Sequence, residues 1–169
     1  MADAATSILG IAIPSTSPLF LATVGLHVLA GLGAVIAGAA AMLSKKGYPR
    51  HIGFGGMYYW CLTIVFASAS ALAFVRWAED SQLFVLGALA YGAAVLGRSA
   101  VRQKWRGWPR LHIVGMGISY ILMLTAFYVD NGRNLPIWRD FPPIAYWTVP
   151  AILGLPIMVW ALLRHPIVR

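Results

Sequence analysis

The chain has 169 residues, 60% of them hydrophobic and 11% charged, with a mean hydropathy of +0.74. A soluble domain carries roughly twice that share of charge, so the composition excludes one and indicates a membrane protein. The formal charge of +8 would suggest nucleic acid as the partner of a soluble chain, but here the basic residues sit between apolar runs, where they meet lipid headgroups, which argues against nucleic acid.

The first eighteen residues lack the basic start of a cleavable signal peptide, and their Ile8–Ile13 apolar run is too short for one. Residues 1–18 are therefore expected to lie at the outer interface. Five apolar segments of about 20 residues follow within residues 19–169, each long enough for a hydrocarbon core of roughly 30 Å. Span 1, from about Leu19 to Leu43, is dense in Gly and Ala. Its Ala30, Ala34 and Gly38 make a smooth stripe along which a neighbouring helix can approach closely. It stops at Ser44-Lys45-Lys46-Gly47, where cations favour the carbonyl end and glycine permits the turn.

Span 2 starts just after Pro49, a residue suited to a first helical turn, and runs to Val75, with Arg76 and Trp77 marking the outer interface. It carries Cys61, alone in the chain, which rules out a disulfide framework and a cysteine-based metal site. Span 3 runs from about Gln82 to Val101, and Arg98 in its last turn is expected to snorkel to the headgroups. Span 4, about Leu111 to Val129, ends in the turn signal Asp130-Asn131-Gly132. The next stretch, with two prolines and no long apolar run, predicts a structured outer loop with Trp138 and Trp147 as interface anchors. Span 5, Ile144 to Leu163, contains Pro150 and Pro156, which predict a kink.

This order places ten of the thirteen basic residues on one side and all five acidic residues on the other. The positive-inside bias then sets the N-terminus outside and the C-terminus in the cytoplasm, which requires an odd number of spans.

An internal repeat organises the spans. Lys46-Gly47-Tyr48-Pro49-Arg50-His51-Ile52 recurs about sixty residues later as Arg106-Gly107-Trp108-Pro109-Arg110-Leu111-His112-Ile113. Gly56, Tyr59 and Phe66 follow the first copy as Gly117, Tyr120 and Phe127 follow the second. The units, about 19–75 and 82–129, run in the same orientation and predict a pseudo-two-fold axis along the membrane normal. The expected fold is all-α: a four-helix bundle of two parallel two-helix repeats, with the fifth helix, 144–163, outside or closing it. His51 and His112 then stand at equivalent depths.

Four histidines are the main coordinating groups, since no carboxylate lies within a span. Neutral imidazole ligates iron, copper or zinc, and a haem can be clamped between two histidines on facing helices. His51 and His112, one from each half, are the candidate metal ligands, with haem b as the candidate cofactor. The competing reading is that both follow an arginine at a helix start and contact lipid headgroups. His27 lies deep in the apolar zone, where an ionisable residue points to function. It can ligate a cofactor, relay a proton or contact a quinone, or it can hydrogen-bond a neighbouring helix at Tyr59, Ser68 or Tyr91. Tyr59 and Tyr120 can hydrogen-bond a ligand between the halves, or backbone alone. His112, Met116, Ser119, Tyr120, Met123 and Phe127 form one semi-polar stripe, expected to face the interior, and His165 is read as a solvated interfacial residue. No phosphate-binding loop, HExxH motif, nucleophile elbow or Ser-His-Asp set is present.

Through Pro109 to Tyr120, Tyr128-Val129-Asp130-Asn131-Gly132, Leu135-Pro136-Ile137-Trp138 and the Trp160 to Pro166 tail, the chain resembles an uncharacterised bacterial family of small multi-pass integral membrane proteins. The resemblance implies a bacterial inner-membrane location and brings no catalytic residues with it. A looser similarity to transmembrane cytochrome b bundles rests on helix count and histidine placement. It departs from their pattern of ligand pairs that share a helix or lie at matched depths on four helices. Three functional readings follow: a cofactor protein using haem b or quinone in electron transfer, an accessory or assembly subunit of a larger membrane complex, and a small transporter with His27 in its path.

Overall fold

The computed structural model describes residues 17–164 and the backbone of a short antiparallel hairpin, β1 (Thr6–Ile8) and β2 (Ile11–Ile13), ahead of them. Asp3, His165, Arg169 and most of the expected interfacial segment 1–18 lie outside the described residues. Five helices make up nearly all of the rest: α1 (Pro18–Leu43), α2 (Pro49–Val75), α3 (Trp77–Arg102), α4 (Trp108–Asn131) and α5 (Pro143–Arg164). Each is long and apolar enough to cross a membrane, and the chain is an all-α, five-helix membrane protein.

Side-chain size sorts the inside from the outside. Ala34, Ala37, Ala94 and Ala100 are fully buried, whereas Leu32, Ile36, Leu89 and Ile152 are each more than half exposed. In water that apolar girdle would drive association. In a bilayer, lipid solvates the large side chains, and small residues let the helices approach. The Ala30, Ala34, Gly38 stripe accordingly faces inward, with Tyr120 packed over Gly38.

The two repeat units are the tightest pairs, α1 with α2 and α3 with α4; α2 then meets α3, and α5 lies against α4. Glycines set these approaches. A Cβ on Gly115 would stand 2.7 Å from the Ala93 carbonyl oxygen and 2.8 Å from Gly97 Cα, so α3 and α4 touch backbone to backbone. A Cβ on Gly117 would stand 2.9 Å from Met158 Sδ, and Gly154 takes the Ile121 side chain, which seats α5 on α4.

Helix α3 begins at Trp77, five residues before the expected Gln82, leaving Arg76 alone between α2 and α3. Glu79 and Asp80 fall in its first turn, where carboxylates are favoured by the exposed amide groups, and Arg76 pairs with Glu79. Charge there reads as loop in the sequence, yet it stabilises a helix start.

In the α4–α5 connection Trp138 stacks on Tyr128, with ring centres 4.0 Å apart, and the Tyr146 hydroxyl donates to the Trp138 carbonyl at 3.3 Å. Trp138 thus anchors the loop to the protein itself. Helix α5 runs as one element through Pro150 and Pro156. Alternation of the five helices gathers the lysines and arginines of the α1–α2 and α3–α4 turns at one end, the basic end, and Glu79, Asp80, Asp130 and Asp140 at the other.

Candidate functional site

Both repeat copies turn into their second helix in the same way. Gly47 and Gly107 adopt left-handed backbone conformations, φ +81° and +74°, which glycine takes without a Cβ clash. Pro49 and Pro109 then occupy the first two positions of α2 and α4, where a missing N–H breaks no helical bond. His51 and His112 follow within the opening turns.

The two imidazoles meet. Their ring centres are 6.1 Å apart with planes at 84°. Each is oriented by a backbone carbonyl from the first helix of its own repeat unit. His51 Nδ1 donates to the Ala41 carbonyl at 2.9 Å, and His112 Nδ1 donates to the Gly97 carbonyl at 3.1 Å. Ala41 lies in the last turn of α1, where carbonyls have no helical partner. Gly97 is reachable because the glycine contact brings α4 onto the α3 backbone. With the proton on Nδ1, the lone pair of each neutral ring is on Nε2, the usual arrangement of a ligating histidine whose other nitrogen is fixed by a carbonyl.

Above the pair runs a seam that obeys the repeat. Seven residues on from the histidines, on the same helical face, Tyr58 and Ser119 share a 2.7 Å hydrogen bond between their hydroxyls. Leu62 and Met123 come next and belong to the same buried cluster. The sequence stripe picked out Ser119 and Met123 but not Tyr58, whose signal was its seven-residue spacing from His51.

Tyr59 and Tyr120 occupy equivalent positions and do different things. The Tyr120 hydroxyl donates to the Val35 carbonyl of α1 at 3.0 Å, its ring lying over Gly38. By the register in which His51 meets the Ala41 carbonyl and His112 that of Gly97, the position matching Val35 is Tyr91, whose hydroxyl lies 3.5 Å from that of Tyr59. The Arg98 guanidinium sits 4.5 Å from the Tyr59 ring centre. Arg98 thus lies over an aromatic face near the basic end of α3. Both tyrosines are eight residues past the histidines, about 12 Å along the helix axis, and neither phenol is directed at the imidazole pair.

His27 stands apart, fourteen residues before Ala41 on α1, about 21 Å along the axis. Its Nδ1 is 3.0 Å from Ser68 Oγ, one of the three partners expected for it; Ser68 Oγ donates in turn to the Ile64 carbonyl at 2.7 Å. Met116 and Cys61 pack against the core, while Phe127, at the end of the stripe, is exposed. Among the described residues no group of three or more His, Cys, Asp and Glu comes together. Comparison with known families, curated proteins and solved structures matched none of them to this chain.

Proposed function

We propose that the protein is a membrane cofactor protein in which His51 and His112 supply two imidazole ligands to a b-type haem, serving electron transfer in the bacterial inner membrane. The observation that carries this reading is the pair itself: one imidazole from each repeat unit, ring centres 6.1 Å apart and planes near perpendicular, each fixed through Nδ1. His51 and His112 would be the residues to hold the group, each with Nδ1 already engaged by a backbone carbonyl. A bare zinc ion takes four protein ligands in a structural site, and the described residues offer two. Two is the number an iron porphyrin leaves open. Bound there, haem would supply one-electron chemistry, with a membrane quinone or a larger complex as the exchange partner.

Two further features support this reading. The small-residue stripe of α1 is consumed inside the bundle, which leaves it unavailable as an outward docking face for an accessory role. The charge asymmetry favours the basic end, and with it the histidine pair, on the cytoplasmic side. The test is an absorption spectrum of detergent-purified protein from haem-supplemented cells, oxidised and then dithionite-reduced. Sharp reduced bands of a six-coordinate b-type haem are expected. They should be lost in His51→Ala and in His112→Ala and kept in His165→Ala, with all variants monodisperse. A featureless visible spectrum of the unaltered protein, or bands that survive both changes, overturns the reading.

A further inference from the structure

At the basic end, the turn from α1 into α2 borders a groove of about 690 Å³ whose wall includes Leu43, Lys45, Tyr48, Arg50 and Phe54. Its chemistry is divided. Leu43 and Phe54 give exposed apolar surface along the groove and together make its apolar floor, while Lys45 and Arg50 give a cationic rim. Lys46, between them in sequence, is already committed: its Nζ donates to the carbonyls of Ala41 at 3.1 Å, of Met42, and of Ser44 at 3.1 Å, closing the end of α1. Lys45 lies 4.3 Å from the Tyr48 ring centre, which holds its ammonium at the groove without neutralising it. The ion pairs among the described residues, Arg76 with Glu79 and Arg139 with Asp140, are both at the opposite end. The sequence places no carboxylate near this turn.

The second repeat copy shows which of these features is particular to the groove. The same turn recurs there with a cation over an aromatic ring, Lys104 Nζ being 4.9 Å from the Trp108 centre. The floor does not recur. The positions of Leu43 and Phe54 are taken by Gln103 and Gly115, the former accepting from Trp105 Nε1 at 2.9 Å and the latter pressed onto α3. One copy thus keeps cation and aromatic alone, while the other adds an apolar bed.

We propose that the α1–α2 turn is a binding site for one anionic phospholipid, its phosphate held between Lys45 and Arg50 and an acyl chain laid over Leu43 and Phe54. Charge selects the headgroup, since each basic residue near a membrane surface favours an anionic lipid. The apolar floor selects a lipid over free phosphate. The site is independent of any haem.

Native mass spectrometry of the full chain in detergent tests this, with phosphatidylglycerol, phosphatidylcholine and inorganic phosphate added in turn. One retained phosphatidylglycerol is expected, with a roughly thirtyfold preference over phosphatidylcholine from the two cations. The double variant Lys45→Gln/Arg50→Gln should bind both lipids alike. Ala40→Phe, which fills the groove and leaves its charge, should lose the adduct while staying monodisperse. Lys104→Gln/Arg106→Gln, at the equivalent turn, should keep it. Equal retention of the two lipids by the unaltered protein overturns the proposal. So does equal loss in the two double variants, which would mean diffuse surface charge, or displacement of the lipid by millimolar phosphate, which would mean a phosphate site.

Discussion

At the scale of single residues, the fold depends on a few positions where a hydrogen or a hydroxyl decides the packing. Gly115 is the sharpest. A methyl group there meets the Ala93 carbonyl and Gly97 Cα at under 3 Å, and backbone cannot swing aside as a side chain can. Gly115→Ala should therefore lower stability by about 2 kcal/mol, the range of an overpacked core, and should loosen His112 from the Gly97 carbonyl. Gly53→Ala, with nothing within 4 Å of its new methyl, should be neutral or slightly stabilising because alanine favours a helix. Thermal unfolding of the two variants side by side checks the contrast. Ser119→Ala strands the buried Tyr58 hydroxyl, whose partner it is at 2.7 Å, and should cost about 1 to 3 kcal/mol. Tyr58→Phe combined with Ser119→Ala should recover part of that loss, because no polar group is then left unpaired.

At the scale of elements, α5 is the separable one, docked on α4 through Gly117, Gly132 and Gly154. Gly154→Val should drive a side chain into Ile121 and lift α5 away while α1 to α4 stay packed. Limited proteolysis should then cut within residues 133–142 faster than in the unaltered protein, and unchanged cleavage would argue against this division. The helices themselves were legible in the sequence because length and apolarity in a bilayer leave little else for a segment to be. The histidine pairing was legible because the repeat carries identical residues at fixed spacing. What identity could not show was the face. Tyr59 and Tyr120 match by type, yet Tyr58 and Ser119, unlike each other, form the contact. Nor could spacing show that Tyr59 meets Tyr91 while Tyr120 meets the Val35 carbonyl, since those contacts join helices far apart in sequence. The start of α3 was missed for a local reason: carboxylates that read as loop residues are favourable at the first turn of a helix.

At the scale of the whole molecule, charge and fold agree on a direction. The α1–α2 and α3–α4 turns are both basic, and the carboxylates of the described residues are all at the opposite end. A fluorescent protein fused after Arg169 should fold and fluoresce in the cytoplasm, while an alkaline phosphatase fusion at the same point should be inactive; the reverse result would invert the topology. The single residue between α2 and α3 bears on how this arrangement is connected. The two spans are joined only through Arg76, which pairs with Glu79 in the first turn of α3. They form one tight helical hairpin. Yet the duplicated units are α1 with α2 and α3 with α4. The tightest turn and the seam of duplication are offset by one helix, so the shortest connection in the bundle ties one half of the repeat to the other.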